Sequence, residues 1–372
     1  MRRSTTMKKS IEMKKLSLTF MKRSIKMKKL SLTFVALATI SVAFSYSTAL
    51  AQKTLVINSF GGSYETTHRK LVITPFEKKY NTKVKVITAY SSATLTQLRA
   101  QKNNPQYDVV HFSGGLEITA AGEGLLSPIK PSELANYDQM YPFAVAGIGK
   151  GVGPMYKTAV IGILYNTEKA KPAPKSWNDL ANPAYANHVL ITDAASNTYG
   201  MLGMLMMNKV NGGTLDNIEP ALNFVKGILD QSTIVSKSPE IQQNFAQGNA
   251  WIAAYAQDYA STLIKAGLPV KFLLPEEGGV VAPITVNLVA GRPNQDLALK
   301  FIDFSIRAEA SRGWAEAMSY SPTNKTVKLS PDVAAQVVYG ISASKKLVTF
   351  DGNKIGKNRA SWNESWKRAI AK

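Results

Sequence analysis

Thr54 to Tyr64, TLVINSFGGSY, decides how this chain is read. Leu55, Val56 and Ile57 make a short apolar run that stops at Asn58 and Ser59 and turns at Gly61-Gly62. Tyr64 to Tyr80 then mixes polar and apolar residues over a length that suits a helix. A buried strand, a glycine turn and a helix start open an α/β sheet. In such sheets ligands bind beyond the carboxyl ends of the strands, where helix-start N–H groups are free. Taken alone, the stretch suits a plain first βα turn as well as a binding edge.

Two further units of the same kind follow. Val84 to Thr88 is a strand that ends at Tyr90-Ser91-Ser92, with a helix over Ala93 to Gln101. Asp108 to Phe112 is another, ending in Ser113-Gly114-Gly115 before a helix at Leu116 to Ala121. Consecutive strand–turn–helix units imply parallel pairing with right-handed crossovers. Ser59, Ser91 and Ser113 would then share one rim of the sheet.

Gly147 to Gly153, GIGKGVG, satisfies no phosphate-loop spacing and leads into an apolar strand, Val160 to Tyr165, so it reads as a flexible approach to a crossing. Beyond Pro172, strands are expected at Val189 to Thr192, Ala250 to Tyr255, Val270 to Leu274 and Thr285 to Ala290. Thr198 to Met207 reads as a Met- and Leu-rich core helix preceded by the cap-like Ser196-Asn197. Gln295 to Met318 reads as one long amphipathic helix.

Upstream of Thr54, the apolar segment Leu30 to Phe44 follows Lys26, Lys28 and Lys29 and closes on Ala49-Leu50-Ala51. This is a secretory signal cut before Gln52, with an apolar part shorter than the ~20 residues of a membrane span. MKKSIEMKKLSLTF (Met7 to Phe20) repeats as MKRSIKMKKLSLTF (Met21 to Phe34), so translation is expected to start at Met21 or Met27. The chain has no cysteine, so neither disulfides nor a lipid anchor on cysteine is available, and a periplasmic location is expected.

The 372 residues carry 45 Lys and Arg against 25 Asp and Glu, a net +20. Residues 1–51 hold 11 of the basic residues and one acid, which leaves +10 on the remainder. Lys345 to Lys372 accounts for +6 of that. Export and the lack of any recognition motif exclude nucleic acid as the partner of this tail. Trp362 and Trp366, four apart, place one face of a helical tail down on the body.

Catalytic motifs are missing. His68, His111 and His188 lie in no metal-ligand spacing, G-x-S-x-G does not occur, and there is no thiol. Glu276-Glu277 sit between Pro275 and Gly278, which favours a turn over a carboxylate pair. The chain is not expected to be an enzyme, and no cofactor or metal is expected.

Over residues 53–330 the sequence resembles periplasmic solute-binding proteins of ABC importers, in the group around the spermidine/putrescine binders, with ferric-ion binders as cousins. The resemblance rests on SFGGSYE (Ser59 to Glu65), TPFEKKYNTKVKV (Thr74 to Val86), YDVV (Tyr107 to Val110) and GLLSPI (Gly124 to Ile129). It continues through SWNDLANPAYANHVLITD (Ser176 to Asp193), LPEEGGVVAP (Leu274 to Pro283) and ALKFIDFSIRAEASRGWAEAMSYSPTN (Ala298 to Asn324).

The resemblance implies a type II periplasmic binding fold. Two α/β lobes, each a mostly parallel sheet flanked by helices, are joined by strands near Val160 to Tyr165 and Ala282 to Val289. Residues 52–159 and 283–344 would form one lobe, 160–282 the other, and 345–372 the basic tail. A monomer that closes on a small solute and presents it to a membrane permease and its ATPase is expected.

Asp193 lines up with a family acid, whereas Ala194, Asn197, Ala282 and Ile284 stand where polyamine binders carry further acids or an aromatic. The expected pocket is Ser59, Phe60, Tyr64, Tyr90, Ser113, Asp193, Ser196, Asn197, Tyr199, Tyr255, Asp258 and Asn287. Serines and helix-start amides would hold a carboxylate, Asp193 or Asp258 one amine, and the tyrosines an apolar middle. That points to a small amine- or amino-acid-like solute. A sensor partner on the same fold, a ferric-ion or anion binder, and an exported enzyme are the alternatives.

Overall fold

The computed structural model describes residues 53–371. The signal and its duplication lie outside them.

β1 (Thr54–Ser59) leads through a turn into a helical stretch made of α1 (Gly62–His68), a π-helical turn at Arg69–Ile73 and α2 (Thr74–Tyr80). Gly61 is required at that turn. Its φ is +78°, and a Cβ there would lie 2.8 Å from Thr88 Cγ2. Next come β2 (Lys83–Thr88), α3 (Ser91–Ala100), β3 (Val109–Ser113) and α4 (Leu116–Gly122). β1 pairs in parallel with both β2 and β3, aligning Ile57 with Val86 and Val109. The three-unit reading of the N-terminal sequence therefore holds.

β4 (Met155–Asn166) begins five residues before the expected start, because Met155 and Lys157 already pair with the returning strand. The second region comprises β5 (Val189–Thr192), α5 (Thr198–Val210), α6 (Glu219–Ile228), β6 (Ser232–Val235) and α7 (Ser238–Ala246). It continues with β7 (Ile252–Ala256), α8 (Gln257–Lys265) and β8 (Val270–Leu273). β9 (Gly279–Leu288) then returns to the first region and starts well before the expected Thr285, since its first half pairs with β4.

The expected single helix Gln295 to Met318 is two, α9 (Gln295–Ser305) and α10 (Ala308–Met318). Arg307 between them is extended, and its guanidinium donates to the carbonyls of Phe304 and Leu71, the latter at 2.8 Å. A tertiary contact thus ends the first helix where sequence periodicity runs on. β10 (Leu347–Val348) adds to β9 in parallel, and α11 (Gly352–Ile370) closes the chain.

The strands join into one mixed sheet in the order β2-β1-β3-β9-β4-β7-β5-β6. β9 pairs antiparallel with β3 through residues 284–288 and with β4 through residues 280–285, while β4 goes on to pair with β7 and β8. β4 and β9 are therefore the two strands that cross between regions.

The cores divide on either side of that crossing. Leu55, Ile57, Phe76, Val109, Val286, Phe301 and Trp314 are fully buried in the first, with Leu98, Phe112 and Leu126 in a satellite cluster. Ile163, Trp177, Tyr185, Met204, Met206, Ile252 and Trp366 lie in the second. Full burial of each such side chain is worth about 1.5–3 kcal/mol, so either core can hold its own layer of helices. The methionines of α5 are core residues, as their pattern implies.

α11 docks through a stripe of Ile355, Trp362, Trp366 and Ala369, a helical period that buries both tryptophans. Asp351 caps its start by accepting from the amides of Asn353 at 2.9 Å and Lys354 at 3.3 Å. Gly352 at that start abuts Ile118 of α4, in the first region. Farther along, Lys354 pairs with Asp216 at 2.7 Å and the Asn358 amide reaches Leu215 O at 3.3 Å, in the second. The helix spans both.

Candidate functional site

The carboxyl ends of β1, β2 and β3 open on a cavity of about 920 Å³, and a second of about 350 Å³ adjoins it. Ser113, Gly114, Ser196 and Thr198 line both, so residues from the two regions meet there. Gly114 has φ +77°, and a Cβ on it would lie 3.1 Å from Thr198 Cγ2 across the gap. Only glycine permits that approach.

The first region supplies an aromatic wall. Phe60 stacks on Tyr90 with ring centroids 6.3 Å apart and planes within 6°, and it lies 4.9 Å from the Tyr64 ring. Tyr90 is 69% exposed at the head of α3, an unusual setting for a large ring and a natural wall for a ligand. Behind it, Ser91 Oγ accepts from the Ser113 amide at 3.0 Å and sits 3.2 Å from Ser113 Oγ, so the two serines share the rim.

The second region supplies the head of α5. Asn197 is its N-cap, accepting from the amides of Tyr199 at 2.9 Å and Gly200 at 3.4 Å. Tyr199 meets Tyr255 edge-on at 5.6 Å, and Tyr255 meets Tyr259 at 5.0 Å. The first turns of α3 and α5 both face the cavities, which favours negative charge in the space between them.

Not every residue expected in the pocket lines it. Phe60, Tyr64, Tyr90, Ser113 and Ser196 border the larger cavity, and Ser113, Ser196, Asn197 and Tyr199 the smaller. Ser59 points inward, fully buried, with its hydroxyl 3.5 Å from His68 Nδ1, because successive residues of a strand alternate faces. Asn287 is fully buried and knits the crossing, accepting from the Gly153 amide at 2.9 Å and donating to Val110 O at 3.1 Å and Thr285 Oγ1 at 2.9 Å. Asp193 sits one layer behind the cavities. It accepts from the Ala195 amide at 2.9 Å, Trp366 Nε1 at 2.8 Å and Ser196 Oγ at 2.5 Å.

Tyr255 and Asp258 form the layer beneath. Burial pushes the Asp258 carboxyl up to about 7 against the pull of Lys157, and its Oδ1 is buried with no hydrogen-bond partner. Asp258 in turn raises the hydroxyls of Tyr199 and Tyr320, after burial itself.

Two cations escaped the sequence reading. Lys157 is fully buried, and its Nζ lies over the rings of Trp314 at 2.8 Å, Tyr64 at 3.9 Å, Tyr320 at 4.6 Å and Tyr156 at 4.7 Å. Burial drives its ammonium well below the usual lysine range while Asp258 pulls it back. The register shift between Met155 and Lys157 lets the consecutive Tyr156 and Lys157 both point inward. A lone lysine inside VGPMYKTAVIGILY was the available signal. The second cation is Arg359 of α11. It lines the larger cavity and donates from Nη2 to Thr198 Oγ1 at 3.3 Å.

Among the described residues no group of three or more His, Cys, Asp or Glu side chains could hold a metal ion, and no helix is long and apolar enough to cross a membrane. Arg359 is the sole charged side chain among those bordering the two cavities.

Comparison with known proteins places this architecture. Residues 72–339 match the bacterial extracellular solute-binding protein family. The spermidine/putrescine-binding periplasmic protein of Escherichia coli is 27% identical over 273 residues, 70% of this chain and 76% of that protein. The gamma-aminobutyric acid-binding protein of Pseudomonas aeruginosa is 22% identical over 323 residues, 81% and 86% of the two chains. The crystal structure of an ABC transporter protein from Clostridium perfringens superposes with a TM-score of 0.77 at 25% identity, covering 85% of this chain and all of that one. The two relatives are named for the solutes they bind. The chain belongs to the bacterial extracellular solute-binding proteins, the substrate-binding components of ABC transporters.

Proposed function

We propose that this protein captures a small amine- or amino-acid-like solute in the periplasm and hands it, by closing its cleft, to a membrane permease and ATPase. In this reading the signal is cleaved after Ala51 and the mature chain acts as a monomer. Residues 52–159 with 283–344 form one lobe and residues 160–282 the other. The separation of the two cores on either side of β4 and β9 supports that division.

The observation that carries the solute class is the charge of the cleft. Its walls are largely rings and hydroxyls, with one arginine and no acid; of the two carboxylates behind them, Asp193 is engaged by Ala195, Ser196 and Trp366, and Asp258 keeps an oxygen without a hydrogen bond. A diamine needs an acid at each end to replace its lost hydration. An amino-acid-like solute needs one acid and one cation. Among the relatives, one is named for gamma-aminobutyric acid, which has that form.

A thermal-shift screen tests this. A solute that binds only the folded chain stabilises it by ~2.7 kcal/mol at a hundred times its dissociation constant. The largest rise is expected from an amino-acid-like or monoamine solute. A larger rise with spermidine or putrescine would overturn the reading of the charges. Turnover of the bound solute would overturn the assignment as a transport component.

A further inference from the structure

We propose that Arg359, carried by the C-terminal helix, is the anion-binding residue of the cleft and takes the carboxylate or phosphonate end of the solute. This rests on the amino-acid-like reading given above and goes further, because it assigns solute choice to a segment beyond residue 339, where the family match ends.

Arg359 occupies an inward position of α11. Ile355, Arg359, Trp362, Trp366 and Ala369 recur at spacings of four and three, and the other four pack into the second core. The charge thus stands where the helix otherwise buries apolar groups. The neighbouring basic residues behave differently. Lys354 and Lys367 are about half exposed or more and pair with Asp216 and Glu364, and Arg368 reaches only Ser365. Among the described residues no acid forms an ion pair with Arg359. Its single hydrogen bond goes to the Thr198 hydroxyl, and burial lowers its pKa with nothing compensating.

A half-buried guanidinium without a counter-charge is costly unless an anion comes to it. The space in front of Arg359 is furnished for one. Ser92, Ser113, Ser196 and Thr198 offer hydroxyls, and the head of α3, which no side chain caps, offers first-turn amides. Arg359 also borders a neighbouring cavity of about 480 Å³, whose lining includes Glu117 and Asp351, neither of them in an ion pair with it. The planar guanidinium matches a carboxylate or phosphonate with two parallel bonds, which a serine cannot do.

Calorimetric titration of the full-length chain with 4-aminobutyrate, 2-aminoethylphosphonate and putrescine tests the assignment. Putrescine keeps a four-carbon chain and replaces the anionic end with a second amine. The wild type should bind one or both anion-ended probes more tightly than putrescine. Arg359→Gln should weaken that binding about 10- to 100-fold, the range for a charge-assisted hydrogen-bonding partner, and leave putrescine unchanged. Arg359→Lys, which keeps the charge and loses the fork, should fall between, and it serves as the test if the glutamine variant melts early. Lys354→Ala removes an exposed tether of the same helix and should change neither affinity.

Equal affinity of wild type and Arg359→Gln for an anion-ended probe would overturn the role of Arg359 and leave the proposed function standing. Wild-type binding of putrescine alone, or of none of the three, would overturn both.

Discussion

At the scale of single residues, the cleft is defined by where charge is buried. Lys157 fills a box of four aromatic rings and so holds, within the fold, the place a ligand ammonium would take. Shortening it to alanine should cost about 2–4 kcal/mol, in the range of other large-to-small core changes. It should also open the box to a primary alkylamine. Millimolar propylamine is expected to raise the melting temperature of Lys157→Ala and not of the wild type. If the variant folds and propylamine leaves it unmoved, the rings are packing and not a cation site. Lys157 and Arg359 also mark what sequence cannot show. A lysine or arginine read alone is most economically placed in solvent, and only the bulge in β4 and the docking of α11 turn these two inward.

At the scale of elements, the strand–turn–helix units were legible because their apolar runs are short and end in glycine or serine. The starts of β4 and β9 were not, since Met155 and Lys157 take their strand character from Thr285 and Ile284 of β9, and Gly279 and Val280 from Leu347 and Val348 of β10 and Ile161 of β4. The break at Arg307 likewise depends on a carbonyl 236 residues away, on Leu71. For α11, the paired tryptophans announced docking but not its anchor. Trp366 donates to Asp193, a residue that the sequence placed in the expected pocket. Trp366→Ala should cost about 3–5 kcal/mol, as large aromatic deletions do, and detach the end of the helix. Urea unfolding would show the loss. Hydrogen exchange should speed up in residues 352–370 and leave β1 to β3 as they are. Uniform speeding across both cores would contradict the local role of the helix.

At the scale of the whole molecule, three buried groups and the partly buried Asp258 set opposing responses to pH. Burial holds Asp258 and Glu117 up at about 7, from ordinary values of 3.8 and 4.5. Between those values and 7 the native state keeps protons that the unfolded chain has lost, so each acid subtracts stability as pH rises. The limiting slope is ~1.4 kcal/mol per unit. His111, lowered by burial to about 3, and His68, lowered well below its ordinary 6.5, do the reverse. In their window the unfolded chain holds the extra protons, so each adds stability as pH rises. Between about pH 4.5 and 6.5 the two acids and His111 therefore pull in opposite directions. Below about pH 4 the two acids no longer contribute, and stability should fall as pH drops toward the His111 value of about 3. The double variant Asp258→Asn, Glu117→Gln should therefore gain on the wild type as pH climbs from 4.5 to 7. Urea midpoints across that range check it, and a constant difference between the two proteins would refute the assignment.

The return of β9 to β3 has a consequence in time. Asn287 donates to Val110 O across 177 residues, and Val109 to Ser113 pair with residues 284–288. The sheet that begins at Thr54 therefore lacks its fourth strand until most of the polypeptide has been synthesised. The region between Val160 and Val280 pairs β5 with β6 and β7, and β4 with β7, across shorter stretches of chain than that return and can complete its sheet sooner. Pulse-labelling during refolding should protect β5 and β7 before the β3 amides that bond to β9. A chain with that order of events stays open at its amino end while it is being made.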